Sequence, residues 1–473
     1  MSYTRTAIEN VGSAQGLSAL AELSQLCSER NAYDFDQEEA ALEGSTVVPI
    51  RQVLPSNTTE AFLRQVHMME ENGWMSTNPD SVDGLPSLHL NLISQGKPIL
   101  DPDDKHVDSF QKGIHGLLDL AQPHIYNELL PSVQKLMNSS DFVVSDVFLR
   151  RYGQETSSGA TRHGISAHYD VYAKATAVIA LDNVAAEGTN GLYTTASRAG
   201  ETSNHASLRR FFPLNCGDGV LHTWDILHGV DVQPGLERTS LIVWFSTKEA
   251  MMRSSVDELS DSCVAPWLSN HPGLSSNDVV QFVFASAIES SVKEVDGIDA
   301  ARATSMFQKQ PEETLDSARY HELYLSSAGK KNAFALTRVG SLCQDKMLSS
   351  DLMKEAERIS STFTLPPATM RPLLRNARNS HERLAMQFWL EGALRGNPLA
   401  QIALGDEAME LSVISGDTNL RALATTLFSL AAQQGVDAAS DAVSRVVKYE
   451  ASISRSEEEF LASSVLRVVS AAV

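Results

Sequence analysis

The chain has 473 residues, 42% apolar and 21% charged, the balance of a folded protein of two or three domains, which excludes wholesale disorder. Its 38 Lys and Arg against 59 Asp and Glu leave a net charge of −21. A surface that acidic repels phosphate backbones, so no nucleic-acid partner is expected, and basic peptides or neutral small molecules suit it better.

In chain order, residues 16–29 carry Leu17, Leu20, Ala21, Leu23 and Leu26 at the spacing of an amphipathic helix, so residues 1–45 read as an N-terminal helical extension. Residues 47–54 are short and β-branched, a strand, and 58–71 read as a helix. The Pro, Gly, Asp and Ser of 74–106 read as loop, followed by helices over 109–121 and 124–137. Strand-like runs then take over at 142–152, 175–181, 191–195, 219–224 and 238–246. Turn clusters at 153–159, 187–191 and 215–219 separate them. Short strands between turns point to a barrel or sandwich rather than a βαβ sheet. Pro266, Pro272 and Gly273 mark 251–274 as a joint, and from 275 onward the text is helical. Ser275-Ser276-Asn277-Asp278 reads as a capping box opening 279–292. Further helices read at 311–327, 331–348, 350–361, 368–378, 381–395, 398–413, 418–434, 436–449 and 455–470.

Four scattered cysteines (Cys27, Cys216, Cys263 and Cys343) form no C-x-x-C, which speaks against a zinc ribbon or a disulfide framework and suits a reducing compartment. Met1-Ser2-Tyr3-Thr4-Arg5 leads into polar sequence, and no apolar run approaches the roughly 20 residues of a membrane helix, so a cytoplasmic or nuclear location with no membrane partner is expected. Phosphate-binding glycine loops, G-x-S-x-G and H-E-x-x-H are all absent from the sequence.

His168-Tyr169-Asp170 is worth little alone, and a second such triplet, His106-Val107-Asp108, reads as a helix start. Residues farther along the chain set the first triplet apart. His228 comes 58 residues after Asp170, Arg238 ten after His228, and Ser240 two after Arg238. Side chains two apart on a strand point the same way, so His168 and Asp170 can converge. By the same rule Arg238, Ser240, Ile242 and Trp244 share one face. Two imidazoles and a carboxylate suit iron(II), covering one face of an octahedron and leaving three positions open. An arginine with a hydroxyl beside it is a fork for a carboxylate. His222 lies 16 residues before Arg238, too far for the pattern, and reads as a plain strand residue; Arg162 and His163 read as solvated loop.

The set His168-x-Asp170…His228-x9-Arg238-x-Ser240 resembles the iron(II)- and 2-oxoglutarate-dependent oxygenases, most of all their prolyl-hydroxylase-like branch. Phe148-Leu149-Arg150-Arg151-Tyr152, the strand over 176–183, and Leu227-His228-Gly229-Val230 also fit; the match covers about 140–248. The resemblance implies a double-stranded β-helix (jelly-roll) with supporting helices over 46–250, an α+β domain. It implies iron held by His168, Asp170 and His228, and 2-oxoglutarate held by Arg238 and Ser240 with further contacts from Tyr152 and Thr176. Dioxygen would be the oxidant and ascorbate an auxiliary reductant, with succinate and CO2 as co-products of hydroxylation. The Asp170 carboxylate favours hydroxylation over halogenation.

In the helical half, Trp389, Ala393, Gly396 and Ala400 recur 39 residues on as Phe428, Ala432, Gly435 and Ala439. Asn332, Ala335 and Gly340 likewise parallel Asn397, Ala400 and Gly405. These resemble Sel-type repeats, relatives of the tetratricopeptide repeat, which implies an all-α repeat domain over 275–473. Such arrays present concave protein-binding surface, so the expected substrate is a peptide or protein side chain, proline among the candidates, with a metabolite or a bare interaction scaffold as alternatives.

Overall fold

The structure, a computed structural model, describes residues 31–33, 46–77, 82, 86–99, 107–154, 161–196, 202–253, 265–302, 317–363, 371–434, 436 and 439–449. The helices expected over 16–29 and 455–470 lie outside these residues.

The strands are β1 (Asn31–Ala32), β2 (Val47–Ile50), β3 (Leu88–Ser94), β4 (Lys97–Pro98), β5 (Phe142–Tyr152), β6 (Gly164–His168), β7 (Ala175–Ala180), β8 (Gly191–Thr195), β9 (Arg209–Phe211), β10 (Gly219–Thr223), β11 (His228–Asp231) and β12 (Arg238–Thr247). They form a seven-stranded sheet of order β2-β10-β7-β12-β5-β3-β4 and a five-stranded sheet of order β1-β9-β8-β11-β6. From β5 to β8 the chain alternates between the two sheets, and it does so again from β9 to β12. That is jelly-roll topology, with antiparallel pairing everywhere but between β1 and β9.

Side-chain alternation builds the layers. On β12, Leu241, Val243 and Phe245 face outward from the larger sheet, onto helices α1 (Ser56–Glu71), α2 (Val107–His124) and α3 (Leu130–Leu136). Phe62, Val66 and Met69 of α1 recur on one helical face and are fully buried there. On the other face of β12, Ile242 and Trp244 meet Phe148, Tyr152, Val178, Ile165, Leu192 and Val230 between the two sheets. The sharing of one face by alternate residues of β12 is therefore as expected.

The segment over 74–106 is not all loop. Leu88, Leu90 and Leu92 are buried on alternate positions of β3, which pairs with β5; the alternation outweighs the turn-forming composition around it. The two helices expected over 109–137 run on through a π-helical turn, Ile125–Leu129, with Pro123 inside the helical run.

The helical half comprises α4 (Asp278–Arg302), α5 (Ser317–Gly329), α6 (Ala333–Gln344), α7 (Ser350–Ser360), α8 (Arg371–Asn376), α9 (Ser380–Leu394), α10 (Pro398–Ser415) and α11 (Thr418–Ala432), with 439–449 also helical. The cap opening α4 is Asn277, whose Oδ1 accepts from the amides of Val279 and Val280, rather than a serine. Asn332 and Asn397 cap α6 and α10 in the same way. A Cβ on Gly340 would come within 2.4 Å of the Trp389 ring, and one on Gly405 within 2.6 Å of Phe428. At these two places the parallel text corresponds to like packing, a glycine admitting an aromatic ring from the next helix.

This half does not stand apart. Ala167, Tyr169, Tyr193, Phe211, Trp224 and Leu227, on the outer side of the smaller sheet, share one apolar cluster with α4, α5, α6, α9, α10 and α11. Both outer faces of the jelly-roll are thus covered by helices. No helix among the described residues is long and apolar enough to cross a membrane.

Candidate metal centre

His168 is the last residue of β6 and His228 the first of β11, and the antiparallel register sets them directly opposite each other. The strand stops at His168, so Asp170 stands in the turn beyond it and not, as expected, on the strand. The three side chains nevertheless converge. Nε2 of His168 lies 3.8 Å from Oδ1 of Asp170, and Nε2 of His228 lies 3.7 Å from Oδ2. One donor atom from each residue falls within 4.8 Å of the others, a spacing that suits bonds of roughly 2 Å to a shared ion.

The hydrogen bonds behind the cluster prepare the donors. Nδ1 of His168 is 2.8 Å from the Ser166 carbonyl, and Nδ1 of His228 is 3.0 Å from the Ile226 carbonyl. A carbonyl only accepts, so each Nδ1 carries the hydrogen and each Nε2 turns its lone pair toward the cluster. The Thr176 hydroxyl donates to Oδ2 of Asp170. Burial alone would raise that carboxyl, but His228, His222, His168 and the Thr176 bond together hold it below its ordinary range.

A third imidazole belongs to the site. His222, on β10 opposite Thr176, is 1% exposed, and its Nε2 lies 3.9 Å from Oδ2 of Asp170. Its Nδ1 faces the Thr223 carbonyl at 3.2 Å, while Nε2 has no hydrogen-bond partner among the described residues. Burial, reinforced by His228, pushes this imidazole down to about 3, so it is neutral at physiological pH. It is a strand residue, as expected, but not a plain one.

Arg238 opens β12 and pairs across the strands with Tyr152, itself buried. The Arg238 side chain is wholly buried, yet Nε, Nη1 and Nη2 have no hydrogen-bond partner among the described residues; neither has the buried Ser240 Oγ. Burial holds the guanidinium below its usual range against the pull of Asp182 and Tyr152. Gly191 lies against it: a Cβ there would sit 2.3 Å from Nη1, and its φ of +87° is one that side chains resist. Gly191 pairs with Asp231, three residues along β11 from His228, or about 10 Å of strand. A small dicarboxylate can bridge that gap between cluster and guanidinium. A buried guanidinium lacking an acceptor among the described residues is the counterpart such an anion needs.

Exposure falls steadily across the site. The His168 side chain is 17% exposed, Asp170 and His228 6%, His222 1% and Arg238 none. The site is thus most accessible at His168 and most enclosed at Arg238.

No protein-family model matches the chain, and no curated protein does. Among solved structures, it is similar to the non-heme alpha-ketoglutarate-dependent epimerase SnoN from nogalamycin biosynthesis, at 15% identity over 48% of this chain and 84% of that one, with a TM-score of 0.32. A prolyl-4-hydroxylase from Pseudomonas putida matches at 13% over 49% and 99%, TM-score 0.26. The viral collagen prolyl hydroxylase of Paramecium bursaria Chlorella virus-1 matches at 12% over 43% and 96%, TM-score 0.25.

Thr176, expected beside the co-substrate, donates its hydroxyl to the carboxylate of Asp170. Arg162 is not solvated: it is 4% exposed, and its Nε donates to the Gly164 carbonyl at 2.7 Å. His222 and Gly191 escape a reading by spacing alone. The only signals for them are the strand register that sets His222 against Thr176 and the turn glycine that meets the guanidinium.

Proposed function

We propose that this chain is an iron(II)- and 2-oxoglutarate-dependent oxygenase that hydroxylates a peptide or protein side chain, proline among the candidates, with release of succinate and CO2. One observation carries the reading: the same jelly-roll holds a His–Asp–His cluster and, three strand residues from His228 by way of Gly191, a fully buried guanidinium that finds no acceptor among the described residues. His168, Asp170 and His228 would hold the metal on one face, leaving its other positions to ligands. Iron, when bound, supplies the redox chemistry that couples decarboxylation of the co-substrate to oxygen transfer. The protein's part is geometric. The Ser166 and Ile226 carbonyls fix the tautomers of the two ligand histidines, and Thr176 fixes the rotamer of Asp170. Arg238 and Ser240 would hold the distal carboxylate, with Tyr152 opposite Arg238 on the neighbouring strand.

The peptide substrate rests on the prolyl-hydroxylase-like motif spacing and on the acidic charge, which suits a basic substrate region. A metabolite is the second reading, and the apolar interior favours it. Phe148 and Trp244 meet edge to face at 5.1 Å on the inner wall, and Arg150 stands over Phe148 at 5.5 Å. That wall is of a kind that encloses a small ligand.

The test is succinate formation from 2-oxoglutarate by the full-length protein with iron(II), beside His228→Ala and Arg238→Met. Turnover lost in both variants supports the proposal, and absence of iron-dependent turnover in the wild type refutes it. Gain of one oxygen atom by a basic peptide, rather than by a metabolite pool, decides between the substrates.

A further inference from the structure

Tyr169 stands between two of the proposed ligands. Its side chain points away from the cluster, out of the smaller sheet and into the helical half, where it is 6% exposed. Its ring meets Phe282 of α4 at 6.0 Å and Phe334 of α6 at 5.7 Å. Its hydroxyl bonds to Thr202. The Thr202 hydroxyl donates at 2.7 Å to Oδ2 of Asp278, the first residue of α4, and the cap residue Asn332 donates to the same oxygen at 3.1 Å. Ser327 of α5 donates to the Asp278 carbonyl at 2.7 Å. Thr202, Asp278, Ser327 and Asn332 are all buried, so this is a closed polar network, strong because water does not compete for its bonds.

The second ligand segment is held from the same side. Leu227, immediately before His228, lies in the helical half's apolar cluster, as does Trp224, whose ring meets His271 edge-on at 5.8 Å. His168 ends its strand and His228 begins one, and element ends are where local opening costs least.

We propose that the helical half is a structural part of the metal centre: Tyr169, through Phe282, Phe334 and the Thr202–Asp278–Asn332 network, is the positioning residue that holds the His168–Asp170 turn. The inference rests on the metal reading above for its consequence, but the anchoring can be measured without metal. Residues that bear on a ligand from behind change metal affinity by about 10- to 100-fold when altered.

The experiment uses the full chain in four forms: wild type, Tyr169→Phe, Phe334→Ala, and Phe428→Leu as a control that loosens the α10–α11 contact instead. Manganese(II) affinity is read from the EPR signal of the free ion, and amide hydrogen exchange over 165–172 is read on the metal-free protein. Tyr169→Phe keeps the ring and loses only the hydroxyl, so it is the variant most certain to fold. Faster exchange over 165–172 and at least about tenfold weaker manganese binding in both Tyr169→Phe and Phe334→Ala, with neither change in Phe428→Leu, is the expected result. Wild-type exchange and affinity in the first two variants, or equal effects in the control, would overturn the proposal. Should the wild type bind no manganese while exchange still rises in those two variants, the anchoring stands and the metal reading falls.

Discussion

Replacing Arg238 by Met tests the site at its most closed end. The side chain is wholly buried and its three nitrogens lack acceptors among the described residues, so the free protein carries the desolvation of a charge with little return. Methionine fills a similar volume without that charge. Exchanging buried ionic groups for well-packed apolar ones commonly stabilises by about 1–4 kcal/mol, and Arg238→Met should fall at the lower end because Asp182 and Tyr152 offset part of the burial. Unfolding entropy is about 2.1 cal/mol/K per residue. For a chain of 473 residues, a gain of about 1–3 kcal/mol raises the midpoint by about 1–3 °C.

With ligand the order reverses. In the presence of manganese(II), 2-oxoglutarate at about one hundred times its dissociation constant adds about 2.7 kcal/mol to the wild type, a rise of about 3 °C on the same scale. Arg238→Met should show no shift at that concentration. Differential scanning calorimetry with and without 2-oxoglutarate measures both effects. An equal ligand shift in the variant, or a variant several kcal/mol less stable than the wild type without ligand, refutes the reasoning. The first would mean that the guanidinium does not hold the anion, and the second that a protein group already satisfies it.

Gly191→Ala places a Cβ 2.3 Å from Nη1 of Arg238 at a positive φ; it should lower stability by about 1–3 kcal/mol and weaken 2-oxoglutarate binding more than manganese binding, both readable by calorimetry. Gly340→Ala brings a Cβ within 2.4 Å of the Trp389 ring and should lower the melting midpoint, with a loss of about 1–3 kcal/mol, while substitution of the exposed Ile414 by Ser leaves the midpoint unchanged. Burial pushes the Cys343 thiol up from 9.0 to about 12, so its peptide should resist alkylation in the native protein at pH 8 and label only on unfolding, as mass spectrometry can follow. The thiol's folded value is the higher one, so its contribution to stability is whole below pH 9 and is lost as pH rises toward 12. It amounts to on the order of 4 kcal/mol, and Cys343→Val should flatten that part of the alkaline stability profile.

The jelly-roll was legible where a strand is long and β-branched. Strands β5, β7, β8, β10 and β12 announce themselves between turn glycines, and their bounds differ from expectation by no more than a residue. Strands β6, β9 and β11 did not, because Gly-Ile-Ser-Ala-His, Arg-Arg-Phe and His-Gly-Val-Asp are too short and too polar to show a period. The cluster itself was legible as spacing, since a short triplet, a distant histidine and a strand-opening arginine survive without knowledge of register. His222 was not, for its place beside Asp170 depends on β10 pairing with β7 so that His222 falls opposite Thr176. Spacing along the chain carries no trace of that pairing.

The reading of two halves joined by a linker had the same limit. Composition does change near residue 250, and the helices after 275 are plain in the text. Yet Tyr169 and Leu227 look like ordinary strand-end residues until the face they occupy is known, and that face is covered by α4 and α6. Among the described residues helices cover both outer faces, and side-chain exposure falls from His168 to Arg238. On the proposed oxygenase reading, a co-substrate gripped at Arg238 would enter before the molecule to be oxidised, which would then meet the cluster from the His168 side. An inhibitor that competes with 2-oxoglutarate should accordingly remain competitive against it at any concentration of the second substrate, and initial-rate kinetics with both substrates varied would show it.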